Sequence, residues 1–229
     1  EGSWLEPGLP VGVWNLLKYD GVFQDQTQLD AGPKAGPTDQ LGDPRFVDRN
    51  GDGQINLVDD RMIVGDPNPD FIFGWSNNFA YKGFDLSIYM QGTYGNDILN
   101  VQRAESNVSS PWGNQRREIL NRWTPTNTNT NVSRARVTVN PLLLQSSWLI
   151  EDGSFLRVKA ATLGYTFRPT RGISSLRLYL TGQNLLTFTK YSGFDPEVNS
   201  TGNSNLQLGV DYNAYPMARA FLFGLNVVF

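Results

Sequence analysis

The segment FIFGWSNNFAYKGFDLSIYMQGTY, residues 71–94, decides the fold class of this chain. Each half alternates large apolar side chains with small or polar ones. Such alternation, sustained over a whole segment, is typical of a strand with one apolar and one polar face. Only Lys82-Gly83 separates the two halves, which predicts a tight hairpin turn. We therefore predict two antiparallel strands, Phe71–Tyr81 and Phe84–Tyr94.

Three later segments share this period-two pattern and predict further strands: Phe155–Phe167, Leu176–Phe188 and Arg219–Phe229. The pattern is less clean in the first of them, because Arg157 and Lys159 fall in the same phase as the apolar residues that follow. The chain is therefore expected to be all-β, with about five long strands.

Short and long connections alternate between these strands. Lys82-Gly83 and residues 168–172 are short, whereas residues 96–154 and 189–218 form long polar stretches. Transmembrane β-barrels alternate short periplasmic turns with long extracellular loops in this way. A soluble β-sandwich also has alternating strands, but those strands usually run to about five or six residues. Strands of about 9–11 residues suit a bilayer, so the sequence favours the C-terminal portion of a large antiparallel transmembrane β-barrel.

Composition excludes several function classes. A net charge of −3 is too mild for a nucleic-acid binder. The absence of Cys and His removes thiolate and imidazole chemistry from the chain. The sequence contains no run of about 18 apolar residues, so no transmembrane helix is predicted. No signal peptide is recognisable at the start, and the opening residues suggest a mature or fragmentary chain.

Residues 1–70 carry short apolar pieces between turn-rich segments. We expect them to form an extracellular loop region, followed over residues 71–229 by barrel strands and further loops without a separate domain boundary. Residues 115–123 show a helical pattern and predict a short helix within a loop. Three tryptophans of the long loop have roles that the sequence leaves open between sugar stacking, rim aromatics and loop anchors: Trp112, Trp123 and Trp148.

One motif matches the calcium loop of EF-hands. Oxygen-bearing side chains occupy positions 1, 3, 5 and 12, and Gly53 at position 6 permits the tight turn. The expected Ca²⁺ ligands are Asp48, Asn50, Asp52, Gln54 (through its carbonyl), Asn56 and Asp59. The last of these replaces the usual Glu, which predicts a lower affinity. Because Gly42-Asp43-Pro44 precedes the motif, we expect a calcium-stapled loop and not a helix–loop–helix sensor.

No residue set predicts catalysis. Two carboxylate pairs, Glu151-Asp152 and Asp195-Pro196-Glu197, lie in turn-like contexts, where surface or loop-packing roles are expected. We therefore do not expect an enzyme.

The final strand ends in Phe229, with apolar residues at alternate positions before it. This ending resembles the C-terminal assembly signal of outer-membrane barrels, and it predicts that Phe229 acts as an assembly signal. The alternative is an edge strand that happens to end in Phe.

The chain resembles the SusC/RagA family of TonB-dependent transporters from about Gly12 to Phe229. The resemblance runs through these segments in order: KYDGVF (18–23), GD (42–43), the calcium-like loop, DRMIVGDPNP (60–69), FDL (84–86), GNDI (95–98), DGSFLRVK (152–159), LGY (163–165), QNL (183–185) and KYSGFDPE (190–197).

The resemblance implies an outer-membrane barrel of 22 strands with an N-terminal plug, capped by a SusD-like lipoprotein and energised through TonB. It also implies import of glycans or peptides. The plug, the TonB-contacting segment and most of the barrel are not present in this sequence. Three explanations stay open: a fragment, a cleaved piece, or one half of a split transporter.

Two other functions stay open at this point. One is a non-transporting barrel scaffold within an outer-membrane complex. The other is a soluble, calcium-dependent β-sandwich for adhesion or carbohydrate binding.

Overall fold

The computed structural model describes residues 2–107, 114–136, 140–168, 172–198, 200 and 207–229. Within these ranges the strands are, in chain order, β1 (Ser3–Trp4), β2 (Val13–Leu17), β3 (Tyr19–Val22), β4 (Pro44–Phe46), β5 (Arg61–Gly65), β6 (Phe71–Tyr81), β7 (Phe84–Tyr94), β8 (Asp97–Asn100), β9 (Ile150–Asp152), β10 (Phe155–Phe167), β11 (Ser175–Thr189), β12 (Val210–Asp211) and β13 (Ala220–Val228). The helices are α1 (Gln26–Ala31), α2 (Val101–Asn107) and 3₁₀ turns at Arg117–Asn121, Leu143–Gln145 and Ser147–Leu149. No helix in the described ranges has the length and apolar character needed to cross a membrane.

Contacts divide the chain into two compact units. The loop unit consists of Glu1–Asn68, Asp97–Asp152 and Glu197–Ala214, and the sheet unit consists of Pro69–Asn96, Gly153–Pro196 and Tyr215–Phe229. Each unit is therefore assembled from segments that are distant in sequence.

The loop unit is built from short strands around a small apolar core. Its sheets have the orders β1-β2-β5, β12-β8-β9 and β3-β4, and β12 pairs with β8 in parallel. Strand β2 is buried on both faces, and its Trp14 is fully buried beside Leu99 and Trp148. A second cluster joins Leu17, Phe46 and Ile55. Burial of these side chains, and not long strand pairing, holds the unit together.

The sheet unit is one antiparallel sheet in the order β13-β11-β10-β7-β6. The predicted bounds of β6, β7 and β10 are confirmed, and those of β11 and β13 are within one residue of the prediction. The predicted fold class is thus confirmed in its long strands and antiparallel pairing.

Strands β6 and β7 are joined by the predicted tight turn. Lys82 and Gly83 have φ angles of 45° and 90°. Positive φ at both central positions is typical of a type I′ turn, whose twist matches the flanking strands. The connection predicted at residues 168–172 has residues 169–171 outside the described ranges.

The register places the apolar side chains of all five strands on one face. This apolar face contains, strand by strand, Phe71, Phe73, Trp75, Phe79 and Tyr81; Phe84, Leu86, Ile88, Met90 and Tyr94; Leu156, Val158, Ala161, Leu163, Tyr165 and Phe167; Leu176, Leu178, Leu180, Leu186 and Phe188; and Phe221, Phe223, Leu225 and Val227. Phe71, Trp75 and Phe223 are each more than half exposed. A continuous exposed apolar face of this kind requires an apolar environment.

A β-bulge in β10 changes which of its side chains lie on each face of the sheet. Val158 pairs with Met90 and Ala160 with Tyr89, so Lys159 is one extra residue relative to β7. Beyond that residue the alternation changes phase. Arg157 therefore lies on the polar face, opposite to Leu163, and the prediction that they share a face is wrong. The extra residue explains the unclean pattern in the sequence.

Gly92 is required by close packing between strands. A Cβ atom at this position would overlap the carbonyl oxygen of Phe155 and lie 2.6 Å from Cζ of Phe73. At Gly74, on the neighbouring strand, the closest atom would be the Tyr89 hydroxyl at 3.5 Å. We expect Gly92→Ala to lower the free energy of unfolding by about 1–3 kcal/mol.

The matched variant Gly74→Ala should change the free energy of unfolding by less than about 1 kcal/mol. Urea unfolding followed by tryptophan fluorescence measures both variants. Equal effects of the two substitutions would contradict the close packing at Gly92.

Candidate functional site

The calcium-like loop has the backbone that its motif predicts. Gly53 has a φ of 81°, so position 6 makes the expected turn. Strand β4, and not a helix, precedes the loop. Ile55 is buried against Leu17 and Phe46, and its N–H donates to the carbonyl of Lys34 at 2.7 Å. The loop is therefore anchored to the core by its central apolar residue.

Among the first three predicted ligands, Asp48 contacts the loop backbone, and Asn50 and Asp52 contact each other. The Asp48 carboxylate accepts the N–H of Gly51 at 2.6 Å and that of Gly53 at 2.8 Å. The Asn50 amide donates to Asp52 at 3.0 Å. A carboxylate has about four lone-pair positions, so these bonds leave Asp48 able to bind a cation as well.

Asn56 and Asp59 form a second group. The Asn56 side chain donates to Asp59 at 3.1 Å and accepts the N–H of Asp59 at 2.9 Å. Gln54 is exposed, and its N–H donates to Asp52 at 2.8 Å. Among the described residues no group of three or more acidic side chains is placed to hold a metal. Calcium binding therefore stays a prediction.

Asp60, which the motif does not include, closes the loop. Its side chain is fully buried, and its two oxygens accept the N–H of Arg49 at 3.0 Å and that of Asn56 at 2.8 Å. One carboxylate thus ties the start of the loop to its end. In the sequence, the only indication of this role of Asp60 is that it directly follows Asp59, the acidic residue at position 12 of the motif.

The polar face of the sheet is lined by paired side chains. Arg177 donates to both oxygens of Asp85, at 2.9 and 2.5 Å, and its guanidinium lies 4.8 Å from the centre of the Tyr179 ring. The pair passes over Gly164, where a Cβ atom would lie 2.5 Å from Asp85. Two-point pairing of this kind fixes both side chains on the polar face.

A buried ion pair lies at the other end of this face. Arg157 is 2% exposed and donates to Asp195 at 2.5 Å and to Thr187 at 2.9 Å. The second oxygen of Asp195 accepts the N–H of Met217 at 3.0 Å. The loop-packing role expected for Asp195 is confirmed.

Two of the three loop tryptophans are anchors. Trp123 is 9% exposed and covers Gly42, and Trp148 is 7% exposed and lies against the Arg103 guanidinium at 4.5 Å. Trp112 lies outside the described residues. Buried rings cannot stack on a sugar, so sugar stacking is excluded for these two side chains.

Among the described residues of the loop unit, Tyr19 and Asp97 have shifted pKa values, both mainly because of burial. Burial raises the pKa of the Tyr19 hydroxyl, which donates to the carbonyl of Asn131 at 2.6 Å. Burial likewise raises the pKa of Asp97, with smaller contributions from the charges of Asp152 and Asp66. Both pKa values are raised because packing of the loops removes water from the two side chains and disfavours their charged forms.

The sequence and the structure of this chain both resemble those of known proteins. No protein-family model matches the chain. It is 37% identical to TonB-dependent receptor P3 of Formosa agariphila over 98% of this chain and 23% of the relative. It is 33% identical to TonB-dependent receptor SusC of Bacteroides thetaiotaomicron over 83% of this chain and 18% of the relative. The RagAB peptide transporter structure aligns with a TM-score of 0.71 and 23% identity, over 99% of this chain and 25% of that chain.

The chain belongs to the SusC/RagA type of TonB-dependent receptors. It spans about a quarter of the length of the relatives it matches. At 23% identity, the RagAB likeness shows the fold, so the five strands are a portion of a large β-barrel. Members of this type are outer-membrane receptors and transporters, which supports a role other than catalysis at the level of the family.

Within this SusC/RagA segment, Phe229 follows the last strand and is exposed. Its role as an assembly signal stays a prediction.

The loop geometry separates the roles of two adjacent acids. Asp60→Ala leaves two part-buried N–H groups without the buried carboxylate that accepts them, and we expect the free energy of unfolding to fall by at least about 2 kcal/mol. Asp59→Ala removes one exposed contact, and we expect a change below about 1 kcal/mol. Thermal unfolding of both variants measures the difference. A larger effect at Asp59 would show that the sequence motif, and not Asp60, defines the closed loop.

Proposed function

We propose that this chain is part of a TonB-dependent outer-membrane importer of glycans or peptides. The observation that carries the proposal is the continuous apolar face over five antiparallel strands, opposed by a face of paired polar side chains. Such a sheet suits a barrel with lipid outside and an aqueous or plugged interior. The identity with two receptors of this type and the RagAB fold support the same function.

The proposed orientation follows from the connections. The turn at Lys82-Gly83 lies at the periplasmic rim, because short turns occupy that rim in barrels of this kind. Residues 1–70, which contain the calcium-like loop, are predicted to be outside the cell and belong in this orientation to the extracellular end of the receptor. A SusD-like lipoprotein docks at this extracellular end. The named RagAB assembly and the relationship to SusC support that partner.

Import can be tested with intact cells that carry the complete receptor. We expect uptake of a labelled mixture of peptides or glycans to require both the receptor and TonB, because the energy comes from the inner membrane. A receptor deletion restored by complementation supplies the control. A receptor that reaches the outer membrane but supports no uptake of either class would favour the non-transporting scaffold.

We also propose that the loop at residues 48–59 binds Ca²⁺. Asp48, Asn50, Asp52, Asn56 and Asp59 would supply side-chain oxygens, and Gln54 its carbonyl. The support is the ligand spacing, the turn at Gly53 and the anchored Ile55. Calcium would draw the two groups of side chains together, because hard cations prefer several oxygen ligands.

Calorimetric titration of the chelator-treated receptor with CaCl₂ tests this site. We expect a dissociation constant of about 10⁻⁴–10⁻³ M, as in extracellular calcium modules. Asp48→Asn with Asp52→Asn should abolish the binding heat. Asp25→Asn, at the N-cap of α1 outside the loop, is the matched control. Identical titrations for wild type and the double variant would contradict calcium binding by this loop.

A further inference from the structure

A depression of about 600 Å³ lies at the short-turn rim of the sheet unit. It is lined by Lys82, Gly83, Tyr165, Thr166, Phe167 and Arg168. The N–H of Thr166 donates to the carbonyl of Gly83 at 2.8 Å, which holds the end of β10 against the β6–β7 turn. The depression is therefore formed where two parts of the same sheet meet.

Two aromatic rings, Tyr165 and Phe167, line this depression, and further rings lie beside them. The ring centres of Phe84 and Tyr165 are 4.5 Å apart, and those of Tyr165 and Phe167 are 4.6 Å apart. Tyr81, on the adjacent strand, is 70% exposed. All four rings belong to the apolar face. Aromatic side chains at this height mark the level of lipid headgroups in a barrel.

Two cations accompany the rings. Lys82 places its Nζ atom 5.2 Å from the centre of the Tyr81 ring, so its stem follows the aromatic surface while its charge reaches the rim. Arg168 lines the same depression directly after Phe167. The nearby acid Asp85 is on the opposite face, paired with Arg177. The rim next to the rings is therefore positively charged.

We propose that Lys82 and Arg168 bind the phosphate of a membrane phospholipid, whose acyl chains lie along the aromatic rings. Phosphate is a strong acceptor for both an ammonium and a guanidinium group, and the adjacent apolar face favours a ligand with acyl chains. The inference rests on the proposed function, because it places the short-turn rim at the phospholipid leaflet that faces the periplasm.

Native mass spectrometry of the complete receptor, titrated with phosphatidylglycerol, tests the site. We expect Lys82→Gln or Arg168→Gln to weaken binding about fivefold, and the double variant about 25-fold, because each basic side chain near a lipid surface contributes about one such factor. The control is Lys190→Gln with Arg219→Gln, which removes two cations near the opposite ends of the strands. The control receptor should bind as the wild type does.

Two ligand arms identify the source of the phosphate. Diacylglycerol with the same acyl chains should not bind, and inorganic phosphate should not displace the lipid. Displacement by phosphate would overturn the lipid proposal in favour of a free-anion site. Unchanged lipid binding by the double variant would overturn it altogether.

A labelling control separates this outcome from failure of the proposed function. In receptor variants with a single introduced cysteine, Val58→Cys should react with an impermeant maleimide on intact cells, and Lys82→Cys only after permeabilisation. Labelling in the reverse order would contradict the proposed orientation. The predicted orientation combined with unaltered lipid binding would contradict the phospholipid site alone.

Discussion

The change of side-chain phase at Lys159 in β10 is the constraint on which the sheet depends. Alternation has a period of two, so a single extra residue moves every later side chain to the other face. Here the extra residue keeps the apolar face continuous across five strands and leaves Arg157 on the polar face. In β11 the residues opposite the bulge are Asn184, which has a φ of 51°, and Leu185. Relative to β7, β11 therefore has two additional residues. Because two is one full period of the alternation, the apolar side chains of β11 stay on the same face on both sides of the bulge.

The position of Arg157 then determines how the neighbouring loop ends pack. Its guanidinium is buried with Asp195, whose other oxygen holds the N–H of Met217. A buried charge left without its partner would destabilise the protein by about 3–5 kcal/mol. The pair therefore specifies one arrangement of the chain after β11 and before β13. A phase change in one strand is thus connected to the placement of two loop ends.

Local pattern predicted the long strands, the hairpin and the membrane-type sheet, because alternation and turn chemistry are both written in neighbouring residues. It could not predict the loop unit in detail. The parallel pair β8–β12 joins residues more than a hundred positions apart. The alternation of apolar and polar residues within a segment does not predict a contact between such distant segments. The burial of Trp123 and Trp148 depends on the same distant packing. For the calcium-like loop, spacing predicted the glycine turn but not the closure by Asp60, which became visible only with the Arg49 and Asn56 amides around it.

The edges of the sheet connect this chain to a larger assembly. Strands β6 and β13 are the outer strands of the described sheet, and each has a row of backbone N–H and C=O groups along its outer side. Lipid offers no hydrogen bonds, so such edges are stable in a membrane only when further strands pair with them. A span of about a quarter of the related receptors leaves room for those strands in the remainder of a barrel. The apolar face is unfavourable in water, and the backbone groups of the two edges have no hydrogen-bond partners in lipid. Both therefore require the same environment, which is the wall of a closed barrel in a bilayer.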